Sequence, residues 1–506
     1  MPQRLVITMN ERTYRLEVCL QARLWRLRRV LTLCETDESH RNATSISTLP
    51  DNVLLEIFDV YRKIQGQSLP PDVWKWHLLV HVCRRWRQIT FASPRHLDLR
   101  IFCTEGTPVR KDLGIWPALP IVVQYGFFRR GIALDEEDNA KAALEHPDRV
   151  SRVELRVTGS QLGNMATILQ EPFPVLTHLL IFTKGTTVPV IPSRFLGGSA
   201  PCLQEIRLYG VPFPTLPTLL LSASDLVVLS LDHIPLTGYI SPGEMVASLA
   251  ELPRLIDLQI EFRRATLRPD RMYLPPATRA VFPALTHFTF SGLCEYLENF
   301  VARVDAPRLD QLDISYLIQV ADFEVPQLSE FINRSEYLKR TLSRCCVFVL
   351  DHGTAEFRIA GSTSCNPIGI SCEDRNWKIS QITHVTSWIP STLSNIGHFS
   401  LYSPSVPFNY RARVMEEIEW LQLLRLFSSV QTMFVSTNLA GDVSRALEDI
   451  AGVMVTEVLP ALDLLCLQDQ PASSVDKFIA LRRDSGHPVT IINARREFDD
   501  RLEAFS

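Results

Sequence analysis

The 506-residue sequence lacks the short signatures of most covalent chemistry. It holds no G-x-x-x-x-G-K-[ST], no G-x-G-x-x-G and no G-x-S-x-G, so no phosphate cradle, dinucleotide fingerprint or hydrolase elbow is indicated. Its 11 cysteines are scattered without a C-x-x-C pair, which argues against a zinc ribbon or a thioredoxin-like motif. Reduced thiols in the cytoplasm or nucleus are the expectation. No run approaches the roughly 18 to 20 apolar residues of a membrane span. The best candidate, starting at Ala451, is interrupted by Thr456, Glu457, Pro460 and Asp463. Excess charge of one sign is missing too. With 52 basic against 56 acidic side chains the net charge is −4, so neither nucleic acid nor a membrane is an expected partner.

What is present is a folded-protein composition, 46% apolar and 21% charged. The length suits roughly three to four domains, or one extended repeat array. The first 31 residues carry seven arginines and no lysine, but also Glu11 and Glu17 and no serine. They read as a basic extension rather than a transit or signal segment. His77 and His81 stand four apart but lack the glutamate of H-E-x-x-H, and the acidic cluster ending at Asp138 reads as a helix start, so no metal site and no cofactor is expected.

From Ile46, ISTLPDNVLLEIFDVYRKI places Val53, Leu54, Ile57, Phe58 and Tyr61 on one helical face, with Thr48, Pro50 and Asp51 marking its start. After a loop, Leu78, Leu79, Val82, Trp86 and Ile89 continue helical spacing until Pro94 stops it. The run Leu49-Pro50, Leu54, Ile57-Phe58, Val82-Cys83-Arg84-Arg85-Trp86, closing at Ser93-Pro94, resembles an F-box. The resemblance covers about 50 residues, departing at Asn52 and in a long loop from Lys63 to Lys75. It implies a three-helix motif that binds the Skp-type adaptor of a cullin-based ubiquitin ligase. Leu49, Pro50, Leu54, Ile57, Phe58, Val82, Cys83 and Trp86 are the adaptor-binding candidates, with Cys83 and Trp86 expected to pack internally and Leu49, Pro50, Leu54 and Ile57 to offer surface.

The remaining chain repeats itself. Segments beginning at Phe173, Ala200, Leu252, Phe282, Ala306 and Leu459 share an apolar-Pro-x-L-x-x-Φ-x-Φ pattern, and those at Ser222 and Leu426 keep the apolar spacing without proline. Proline suits the entry to a strand, and the alternating apolar residues then point to one face. The spacing resembles leucine-rich repeats without their asparagine, implying an α/β fold in which an irregular solenoid forms a curved parallel sheet. CCVFVLDHG and AEFRIAG read as alternating strands of one degenerate repeat. The later layout is similar to the expanded F-box proteins of mushroom-forming fungi.

The organisation expected is therefore a basic extension (1–43), an F-box (44–95), a connecting segment (96–145), a repeat domain (146–495) and a tail (496–506). Period-two alternation puts Arg152, Arg156, His178, Arg207, Tyr209, Asp232, Asp257, Gln259, Glu261, His287 and Asp313 on the exposed strand face as candidates for binding a target protein, with Tyr209 and Arg207 foremost. Early units would be basic and middle ones acidic. The function expected is a non-catalytic substrate receptor of a ubiquitin ligase, or a repeat scaffold whose F-box no longer docks an adaptor.

Overall fold

The computed structural model describes residues 48–65, 76–104, 109–126, 136–185, 188–263, 278–316, 326–335, 338, 342–349, 355–361, 368–372, 383–384, 386–387, 393–402, 417–449, 454–468 and 472–494. The basic extension, the tail and most of the loop after Lys63 lie outside them. The chain divides into two compact units, Met1–Leu99 and Arg100–Ser506.

Three helices are described in the first unit: α1 (Asp51–Gln65), α2 (His77–Val80) and α3 (Arg84–Ala92). The apolar stripe of α1 folds inward through Leu54 and Phe58, and the Phe58 ring meets Trp86 with centroids 4.8 Å apart. Arginines tie the helices together. Arg85 Nε donates to Asp51 at 2.9 Å and its Nη2 to the Leu49 carbonyl, while Arg87 Nε donates to the Val80 carbonyl at 3.0 Å, satisfying the open end of α2. The helical spacing from Leu78 to Ile89 is carried by two helices, α2 and α3, with a break between them. Cys83 adopts extended backbone and its Sγ accepts from the Trp86 N–H, capping α3 after the turn at His81 and Val82. That break places His81 beyond the end of α2, so His77 and His81 do not share one helix.

The second unit is mixed α/β. Its strands are β1 (Ile101–Cys103), β2 (Ile121–Tyr125), β3 (Val150–Thr158), β4 (His178–Lys184), β5 (Glu205–Tyr209) and β6 (Val228–Ile234). Then come β7 (Asp257–Phe262), β8 (Ala280–Val281), β9 (His287–Gly292), β10 (Val304–Asp305), β11 (Gln311–Tyr316) and β12 (Leu342–Val349). The last are β13 (Ala355–Gly361), β14 (Ile368–Cys372), β15 (His398–Tyr402), β16 (Thr432–Val435), β17 (Leu464–Gln468) and β18 (Thr490–Ala494). Among the described residues sixteen of these form one sheet, and β8 pairs separately with β10. From β1 to β11 the sheet neighbours run parallel, and so they do from β15 to β18. β1 and β2 fall within 96–145, so that stretch is part of the sheet rather than a connector to it.

The repeat is a β-turn followed by a strand. The Leu176 N–H returns to the Phe173 carbonyl, Leu203 to Ala200, Leu226 to Ala223, Leu255 to Leu252, Leu285 to Phe282, Leu309 to Ala306 and Leu462 to Leu459. Proline occupies the second place of most of these turns, where its fixed φ is favourable and no N–H is needed. The leucine closing each turn is fully buried, as are the next apolar pairs along the strands, such as Leu179 with Ile181 and Leu258 with Ile260. Three apolar columns thus run through the stack, each residue covering its neighbour in the next repeat.

CCVFVLDHG and AEFRIAG do not make a repeat. β12 and β13 pair antiparallel, β13 pairs antiparallel with β14, and β14 then lies parallel to β11. The sheet order β11-β14-β13-β12-β15 inserts a reversed strand between two parallel arrays.

Candidate recognition face of the sheet

In-register pairing across β3 to β11 lines up the residues between the buried ones in three rows. The first contains Arg152, His178, Glu205, Val228, Asp257, His287 and Gln311. The second contains Glu154, Leu180, Arg207, Ser230, Gln259, Thr289 and Asp313. The third starts Arg156, Phe182, Tyr209, Asp232 and resumes at Glu261, opposite Ser291. All eleven residues expected on this face occupy these rows.

The third row holds a feature that sequence reasoning missed. Phe182 stacks on Tyr209 with centroids 4.0 Å apart and planes at 14°, and Tyr209 stacks on His233 at 4.4 Å and 28°. The Arg156 guanidinium lies 4.8 Å over the outer side of Phe182, and His233 Nδ1 stands 2.6 Å from Glu261 Oε1. A ladder of cation, three rings and carboxylate therefore crosses from β3 to β7. His233 enters it because β6 bulges: two residues, Asp232 and His233, oppose one on β7, and His233 takes φ +53°. The only warning in sequence was an aromatic residue, Phe182, at a solvent-face position. At the other end Gly126 is required, because a Cβ there would lie 1.9 Å from the Arg156 carbonyl oxygen.

The charges are less segregated than the residue types suggested. Arg152 pairs with Glu154, two residues along the same strand, and Gln124 Nε2 donates to the other oxygen of that carboxylate at 3.0 Å. Arg207 pairs with Glu205 at 2.5 Å in the same manner. The early part of the face is consequently close to neutral rather than basic. His178 sits 3.7 Å from Glu205, but burial and the adjacent Arg152 hold its pKa below the ordinary value, despite the opposing pull of Glu205. The later strands keep their carboxylates. Burial raises the pKa of Asp232, against a 2.7 Å hydrogen bond from Ser230, and Asp257 adds to the rise.

In the first unit, Pro50, Val82 and Cys83 are exposed, and Leu49, Ile57 and Trp86 are half-buried. Val82 is 59% exposed and Leu78 46%. Two adaptor-binding candidates are corrected: Leu54 and Phe58 are enclosed by their own unit and have no surface to offer. Cys83, expected to pack internally, is exposed because its sulfur faces the open first turn of α3.

Among the described residues no group of three or more His, Cys, Asp or Glu is arranged to hold a metal ion, and no helix is long and apolar enough to cross a membrane. Within the acidic cluster ending at Asp138, Glu137 pairs with Lys141 at 2.8 Å and accepts from Asn164 at 3.0 Å.

No protein-family model matches the chain, and no curated protein matches it. Among solved structures it is similar to the leucine-rich repeat-containing protein LegL7 from Legionella pneumophila, at 11% identity and a TM-score of 0.27. That similarity covers 78% of this chain and 99% of the other.

Proposed function

We propose that the chain is a non-catalytic receptor: its N-terminal helices dock a Skp-type adaptor and through it a cullin, and the sheet face captures a target protein for ubiquitination in the cytoplasm or nucleus. The observation that supports this most is that apolar Val82, Leu78 and Pro50 of the first unit stand in solvent, with Leu49 and Ile57 half-buried. Exposed apolar surface marks interfaces. The F-box-like run of residues supplies the identity of the partner. The chain would then act by holding a target near a bound conjugating enzyme, raising its effective concentration.

The burial of Leu54 and Phe58 favours the alternative, a repeat scaffold outside ubiquitination, since two residues of the motif serve the unit's own core. Co-purification decides between them. Wild-type protein should retain the adaptor, and Val82→Asp, a change at a solvent-exposed site, should abolish retention with thermal unfolding unchanged. Failure of the wild-type protein to retain it removes the ligase reading.

A further inference from the structure

We propose that residues 495–506, which lie outside the described residues and follow β18 directly, fold back as a short amphipathic helix over the apolar outer face of β15 to β18. In-register pairing lines up two rows of outward residues on these four strands. One is His398, Thr432, Leu464 and Thr490, and the other is Ser400, Phe434, Cys466 and Ile492. The residues alternating with them, such as Phe399, Met433 and Leu465, are fully buried. Neither row holds an arginine, lysine, aspartate or glutamate, whereas the rows from β3 to β11 carry Arg152, Glu205, Arg207, Asp257 and Asp313 among others. The apolar members are not enclosed: Ile492 is 46% exposed, and Phe434, Leu464 and Cys466 are half-buried. Leu464 and Cys466 share one face of β17, and Phe434 and Ile492 flank Cys466 in register, so the four make one continuous surface. Apolar surface of this kind is a place for something that covers it.

Position, pattern, length and charge identify the cover. The segment begins where β18 ends, two residues after Ile492, so its effective concentration at the face exceeds what a separate chain reaches. Its apolar residues Phe498, Leu502 and Phe505 stand at i, i+4 and i+7, one stripe of a helix, and most of its other positions are charged. Glu497 and Arg501 have the favourable i, i+4 order of a helical ion pair. At 1.5 Å per residue the segment makes about 18 Å of helix, and four strands span roughly 14 Å, so one such helix crosses all of them. An uncharged face meets an uncharged stripe without stranding an ion, and the charged side stays in water. A helix this short is marginal alone in water, so its order depends on the face it covers. The face is thereby withheld from other chains until the segment is displaced.

The test is alkylation of Cys466 by N-ethylmaleimide, located by peptide mass spectrometry, in the full chain, in a chain lacking residues 495–506 and in the double variant Leu502→Asp, Phe505→Asp. Burial raises the pKa of the Cys466 thiol, so rates are compared between chains at one pH. Removal of the segment and the double variant should each speed alkylation roughly tenfold or more, while exposed Cys202 keeps its rate in all three. A synthetic peptide of residues 495–506 added to the shortened chain should restore protection, and the same peptide carrying Leu502→Asp and Phe505→Asp should not. The double variant carries the test if the shortened chain fails to fold, and in it amide exchange over residues 498–505 should be fast where the wild-type chain is protected. Equal Cys466 rates in the wild-type and both altered chains, or equal protection by a scrambled peptide, would overturn the proposal. So would protection of the wild-type chain that is lost on dilution, which assigns the cover to a second copy.

Discussion

Tyr209 stacks on His233 although the strand register pairs it with Asp232. The extra residue in β6 turns His233 onto the polar face, and its imidazole completes a ladder that none of the strands builds alone. A non-glycine residue at positive φ carries a cost of order 1 kcal/mol, which the ring contact and the Glu261 pairing offset.

His233→Gly should therefore relieve backbone strain while losing the stack, and His233→Val should lose the stack and keep the strain. The expected order of stability is wild type, then Gly, then Val, with Val lower by about 1 to 3 kcal/mol. Urea denaturation with Trp fluorescence measures it, and a Val variant as stable as wild type would show that the bulge is unstrained.

Cys83 caps α3 with a thiol, a weak acceptor. Replacing it by Ser or Asp should strengthen the cap and slow amide exchange in the first turn of α3, whereas Ala should speed exchange, by roughly 0.5 to 2 kcal/mol in local opening. Hydrogen exchange read by mass spectrometry distinguishes the three.

Arg482 is 1% exposed and donates to the carbonyls of Val455, Pro460 and Leu462 at 3.4, 3.2 and 3.1 Å. It fastens the turn that leads into β17. Arg482→Met should leave those carbonyls unpaired and cost about 3 kcal/mol or more, read as a fall in the thermal midpoint. A loss no larger than that of an exposed arginine, such as Arg254→Met, would count against this role.

Glu298 accepts from the Gln327 and Leu328 amides at 2.9 and 2.8 Å, at the start of the helix Pro326–Arg334. Burial pushes its pKa up to about 7, against the pull of those two amides. A carboxyl raised above its unfolded value of 4.5 contributes stability below pH 4.5 that is lost as pH rises toward 7. Wild type should therefore lose thermal stability relative to Glu298→Gln across that window, and parallel curves would remove the assignment.

The apolar columns and the turn prolines were legible because both are local: a leucine three residues after the turn's first residue and alternation beyond it are written in consecutive residues. The face residues followed from the same alternation. Phe182 was passed over because an apolar residue on a solvent face is ordinary when met singly, and only register places it beside Tyr209. His233 could not be found by counting, because a bulge changes which residues face outward without leaving a composition signal. Apolar spacing alone runs on through the break at Cys83, and only the F-box resemblance, with its third helix opening at Val82-Cys83, placed a helix start there. Strand direction in β12 to β14 was equally silent, since alternation is identical in parallel and antiparallel strands.

The reversed strand bears on how the sheet can assemble. In a simple stack each repeat templates the next in chain order, and order spreads along the chain like a zip. Here the chain leaves β11 for β12, the far strand of the insert beside β15, and comes back through β13 to β14 beside β11 before it crosses to β15, so that the zip meets a stretch which closes from its far end. The arrays β1–β11 and β15–β18 are thereby predisposed to fold as separate cooperative blocks, with the insert setting when the second joins the first.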